Sequence, residues 1–252
     1  MIKMVAAVGL FLVLSLAGSG FAGINGPEEV EKLKEALASG SSVQRTQIAK
    51  IITNAGIEDQ GLYEKIAALL RDGYPKGFES DHVDEMSWLC KALAASGDPR
   101  YKALLQEIAE KAPSFKLQHY AEESKDLIGE YADRMRIMNS TETWDDNLNH
   151  EENRLANMLK SDNIQLKKDA AKTVVRSIMV HKKIFEIIDV ELLGMQGNKR
   201  TRGEDIDTMA WMCKALAVSG DARYAETLKQ VMAGTMDIKL KIAASKALKQ
   251  ID

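Results

Sequence analysis

Residues 88–101, Trp-Leu-Cys-Lys-Ala-Leu-Ala-Ala-Ser-Gly-Asp-Pro-Arg-Tyr, return at residues 211–224 as Trp-Met-Cys-Lys-Ala-Leu-Ala-Val-Ser-Gly-Asp-Ala-Arg-Tyr, differing only at Leu89/Met212, Ala95/Val218 and Pro99/Ala222. A lone Met stands two residues before each Trp, at Met86 and Met209. The chain is therefore an internal duplication, and any fold assigned to it has to be built twice from the same local unit. Each stretch reads as one turn between two helices. Gly97 and Gly220 suit the left-handed position that ends a helix, Asp98 and Asp221 the cap of the next, and Pro99 its first residue.

Residues 1–23 stand apart from the fold. Lys3 precedes the apolar run Met4 to Leu16, and Gly20-Phe21-Ala22 supplies small residues for cleavage, the pattern of a secretory signal peptide. The apolar run is too short for a stable transmembrane span, which needs about 20 residues. The expectation is export to a periplasm or a secreted space. Without Lys3 the chain has 33 basic and 37 acidic residues, an acidic balance that argues against a nucleic-acid partner.

Ala, Leu, Ile, Lys and Glu dominate and only four prolines occur, so the expected class is all-α. Apolar residues at helical spacing place helices at Glu28 to Ala38, Val43 to Asn54, Leu62 to Leu70, Asp84 to Ala95, a second arm through Tyr101 to Ala109, and Phe115 to Ile128. Residues 138–149 are polar and turn-rich and read as a junction. The series then repeats as Glu151 to Lys160, Ile164 to Met179, a helix from Lys183, Asp205 to Val218, Asp221 to Met232 and Asp237 to Ile251. The expected organisation is a signal peptide over 1–23, a first copy of three helical hairpins over 24–137, a junction, and a second copy over 150–252. Two helices of about 40 residues cannot bury their apolar stripes alone, so the hairpins must stack. Trp88 and Trp211 are expected to plug the space between adjacent hairpins.

The closing residues join a Gly220-Asp221-Ala222-Arg223 turn to Asp237-Ile238-Lys239-Leu240-Lys241, Ala243-Ala244 and Ala247-Leu248. This resembles the bacterial HEAT and HEAT-like repeat pattern. The first copy matches through Gly97-Asp98-Pro99-Arg100, Lys116-Leu117, Ala121 and Leu127-Ile128, and departs from it at Glu122 and Glu123. The resemblance covers residues 84–130 and 205–252. It implies an α-α superhelix that binds another protein as a scaffold, without catalysis and without a cofactor.

The residues also offer partial patterns of other chemistries. Met209, Met212 and Cys213 share one helical face and offer soft sulfur ligands to Cu(I), which makes a copper-binding protein the alternative. Less favoured is a lyase-type enzyme on a HEAT-like scaffold. HEAT-like metal hydroxylases carry recurrent His-Glu pairs, of which this chain has His150-Glu151 alone. Asp145, Asn147 and Asn149 imitate the start of a calcium loop, but His150 replaces its glycine and Ala156 its closing glutamate. Cys90 and Cys213 read as buried small hydrophobes. Lys199, Arg200 and Arg202 precede the second Trp helix where the first copy has Lys76-Gly77-Phe78-Glu79. They are the expected contact for an acidic partner protein.

Overall fold

The computed structural model describes residues 26–177, 180–197 and 203–251. The expected signal peptide and Lys199, Arg200 and Arg202 lie outside the described residues. The chain divides into two compact units, Met1–Arg136 and Ile137–Asp252.

Helices of the first unit are α1 (Pro27–Ser39), α2 (Ser42–Ala55), α3 (Gln60–Gly73), α4 (Ser80–Ala94), α5 (Lys102–Lys111) and α6 (Phe115–Asn139), which carries the chain across the division. Those of the second are α7 (His150–Lys160), α8 (Ile164–Arg176), α9 (Lys182–Gln196), α10 (Gly203–Val218), α11 (Ala225–Gly234) and α12 (Ile238–Ile251). No strand occurs among the described residues.

Neighbouring helices pair as hairpins, and alternate helices pair as layers. In the second unit α7/α8, α9/α10 and α11/α12 are the hairpins, α7, α9 and α11 form one layer, and α8, α10 and α12 form the other. In the first unit α1/α2 and α3/α4 pair, α1 lies on α3, and α2 lies on α4. The Tyr74 hydroxyl donates to Glu107 at 3.0 Å, joining the end of α3 to α5. Ion pairing of Lys116 with Asp84 joins α6 to α4. The fold is thus an all-α stack of helical hairpins, the expected class.

The Trp helices are central to each unit and are buried on more than one side. Met86, Leu89, Cys90, Ala92, Leu93 and Ala94 of α4 are buried, as are Met209, Met212, Cys213, Ala215, Leu216 and Ala217 of α10. Small Ala residues at these positions let neighbouring helices approach closely, while Leu93 and Leu216, both fully buried, each contribute roughly 2 kcal/mol of apolar transfer.

The repeated turn is built identically in both copies. Gly97 has φ +65° and Gly220 φ +63°. The Ser96 and Ser219 hydroxyls donate to Leu93 and Leu216 carbonyls at 2.7 and 2.6 Å. Asp98 accepts from the Arg100 N–H and Asp221 from the Arg223 N–H, each at 2.9 Å. Each aspartate caps a 3-10 turn, Pro99–Tyr101 or Ala222–Tyr224, that leads into α5 or α11.

Three boundaries differ from the pattern in the sequence. α6 runs to Asn139 rather than Ile128 because Met135 and Met138 continue its buried stripe. α4 begins four residues before Asp84, where buried Val83 extends its inner face. α8 ends at Arg176, with the Ser177 N–H closing back on Thr173.

Candidate functional site

The exposed face of the layer containing α2, α4 and α6 carries an aromatic and basic cluster. Trp88 of α4 packs its ring against the core and leaves part of it accessible. Lys50 from α2 and Lys91 from α4 hold their ammonium groups 5.1 and 5.3 Å from the indole centroid. Lys91 also lies 4.3 Å from the ring of Tyr120 on α6. The second unit repeats the arrangement: Lys172 of α8 and Lys214 of α10 sit 5.8 and 4.1 Å from Trp211. Cation–π attraction of about 0.5–1 kcal/mol at such exposed sites holds each ammonium near the ring without removing it from solvent.

Charge is only partly balanced within each cluster. Lys91 faces Glu123 at 3.7 Å and Lys172 faces Asp169 at 3.8 Å. Lys50 and Lys214 pair with no carboxylate among the described residues. At one edge of each face an ion pair recurs, Lys116 with Asp84 and Lys239 with Asp207. Hydrogen bonding from Lys239 lowers the Asp207 pKa from its ordinary value. Beside these pairs Phe115 and Ile238, the first residues of α6 and α12, are 86% and 74% exposed.

Both tryptophans are mainly buried against the core of their unit, in keeping with the expected filling role, and each leaves a smaller part of its ring accessible beside two lysines. Lys91 and Lys214 are the residues of the repeated stretch that its turn geometry does not use. The lysines from α2 and α8 were missed in the sequence because they lie far from the tryptophans along the chain. The signal was available in Ala49-Lys50 and Ala171-Lys172, which occupy matching places in the two copies.

The sulfur cluster is core. Met209, Met212 and Cys213 are at most 1% exposed, and burial pushes the Cys213 thiol up to about 12. The Cys90 thiol is raised likewise by burial, and both cysteines are free. Asp145 is engaged by Lys183 and by Asn147, while Asn149 caps α7. His150 meets Glu151 at 3.3 Å on the surface. No cluster of three or more His, Cys, Asp or Glu placed to hold a metal ion occurs among the described residues.

A second feature lies in the segment read as a junction. Residues 140–149 fold onto α7 and are pinned there by two buried asparagines. Asn153 accepts from the Asp145 N–H at 2.7 Å and donates to the Asp145 and Leu148 carbonyls at 3.1 and 3.0 Å. Asn157 donates to the Ser140 carbonyl at 2.7 Å and accepts from Thr143 at 3.0 Å.

No protein family matches this sequence, and no curated protein matches it. Among solved structures the chain is similar to human deoxyhypusine hydroxylase in complex with glycerol, at 12% identity and a TM-score of 0.38, over 99% of this chain and 96% of that one. That protein is an enzyme, and the expectation that the present chain is not one is withdrawn. At this similarity the likeness assigns neither an activity nor residue roles. No described helix is long and apolar enough to cross a membrane.

Proposed function

We propose that this protein is an exported helical-repeat interaction module whose two Lys-Trp-Lys faces bind an acidic segment of a partner protein. The observation that carries this reading is the recurrence of one partly buried indole, with part of its ring accessible, beside two ammonium groups at equivalent positions of both copies. An accessible indole supplies apolar contact area, and the flanking ammonium groups supply partners for carboxylates. Phe115 and Ile238 extend the apolar part of each face. The run Lys199, Arg200, Arg202 before α10 adds further positive charge in the sequence, and the N-terminal apolar stretch supports an exported setting.

The test is calorimetric titration of the full chain with a peptide of alternating Glu-Glu and Leu residues. Binding weakens steeply with added salt, because exposed charges are screened over about 8 Å at physiological ionic strength. Lys91→Ala with Lys214→Ala lowers affinity at least tenfold, and K199A/R200A/R202A measures the contribution of the basic run. Binding that is independent of salt, or unchanged in the K91A/K214A variant, refutes the reading.

A further inference from the structure

The pinned loop between α6 and α7 lines an open cavity of about 340 Å³ at the surface, within the lower part of the roughly 300–1,000 Å³ range of small-ligand sites. Its apolar side is formed by Trp144, Leu148, Ala156 and Ile187, and its polar side by Thr143, Asp145, Asp146, Asn147, Lys160 and Lys183. All of these belong to the second unit. Trp144 is 37% exposed and held at a fixed angle by an edge contact with His150, the ring centroids 5.1 Å apart and the planes at 89°.

Three observations define what would fit. The walls are preorganised: Asp145 accepts from the Asn147 N–H at 2.9 Å and from its side-chain amide at 2.8 Å, and pairs with Lys183. Lining charges cancel, two carboxylates against two ammonium groups, so the cavity selects neither an anion nor a cation. Its remaining groups accept from and donate to hydroxyls, and one flat aromatic side chain, Trp144, lines the same cavity. Asp146 and Lys160 make no ion pair among the described residues and keep their hydrogen-bonding capacity for a ligand. A loop serving only as a linker needs none of this, whereas binding gains from a site ordered in advance.

We propose that this cavity binds a neutral, hexose-sized sugar, with the C–H face of the ring against Trp144 and its hydroxyls read by Asp146, Asn147 and Lys160. The ligand is a free monosaccharide or the terminal residue of a glycan.

The experiment follows the Trp144 indole N–H resonance of the full chain, assigned with Trp144→Phe, during titration with methyl glucoside, methyl galactoside and N-acetylglucosamine, and separately with the N-acetylglucosamine trimer. A saturable shift with at least one of these is expected, weakened at least fivefold in Asp146→Asn and Lys160→Met, two exposed positions whose replacement leaves the pinning network intact. Tighter binding of the trimer assigns a glycan end, and equal or weaker binding assigns a free sugar. Glucuronate and glucosamine are expected to bind no more tightly than the neutral sugars. The proposal is overturned if no sugar shifts the resonance, if D146N and K160M titrate like the wild type, or if a charged sugar binds tenfold better than every neutral one.

Discussion

Replacing Gly97 by alanine and, separately, Gly220 by alanine separates backbone conformation from packing at two sites with the same local sequence. Both glycines occupy the left-handed region, at φ +65° and +63°, where an L-residue is disfavoured by roughly 1–2 kcal/mol. Their surroundings differ. A Cβ on Gly97 would stand 2.6 Å from Cα and 2.8 Å from N of Ala132, both backbone atoms of α6, while a Cβ on Gly220 would meet nothing within 4 Å. In G97A the α6 backbone has to shift, and overpacking of that kind costs about 1–3 kcal/mol more. The expected costs are thus roughly 2–5 kcal/mol for G97A and 1–2 kcal/mol for G220A. Hydrogen exchange resolved by peptide, over α4 and α6 for the first variant and α10 and α11 for the second, reads the local opening free energy in each unit. Ala132→Gly in the G97A background restores little, because the two closest atoms are main-chain. Equal costs for the two variants, or full rescue by A132G, would refute the close approach of α6 to the repeated turn.

Glu85 is 2% exposed and bonds to Arg45 at 2.5 Å. Glu85→Ala is expected to cost about 3 kcal/mol, the low end for breaking a buried pair, since Arg45 also donates to the Gly40 carbonyl at 2.8 Å; urea unfolding within 1 kcal/mol of wild type would contradict this. Cys90 and Cys213 are buried with raised thiol pKa values, so Ellman's reagent at pH 8 is expected to label neither in the native protein and both in urea. Native labelling on the denatured timescale would show that the central helices open. The Lys183 ammonium, with two donors from Asn147, holds the Asp145 carboxyl well below the usual carboxylate range. Because the folded value is the lowered one, this contribution is complete above the ordinary Asp value of about 3.9 and is lost only as pH falls below it. In Asp145→Asn the Trp144 resonance should then be displaced already at pH 7, and any pH dependence of the wild-type resonance that this variant abolishes should lie below about pH 4. A titration of Trp144 centred well above that range that D145N abolishes would contradict the sign.

What the sequence made legible is what its short-range bonds encode. The serine, glycine, aspartate and arginine of each repeated turn find their partners within three residues along the chain, so residue type and spacing suffice to read them. The helical stripes are equally local. The Lys-Trp-Lys faces needed the stacking of α2 on α4 and of α8 on α10, which brings Lys50 to Trp88 and Lys172 to Trp211. Residues 138–149 read as a junction because their polar side chains spend themselves on one another and on the backbone. The sign that this loop is built lay outside it, in Asn153 and Asn157, two amides one helical turn apart on a helix that is otherwise buried by Leu155, Met158 and Leu159. A buried amide on such a face has to find partners, and here they are the loop's backbone groups.

The chain has three tryptophans, one in each proposed binding face and one in the cavity. Fluorine NMR of the full chain labelled with 5-fluorotryptophan therefore reports Trp88, Trp211 and Trp144 as separate lines. Addition of the Glu-Glu-Leu peptide should move the Trp88 and Trp211 lines together, with a shared salt dependence, and leave the Trp144 line in place. Movement of Trp144 alone, or of none of the three, would contradict the claim that the duplicated lysine and tryptophan faces are where this protein meets an acidic partner.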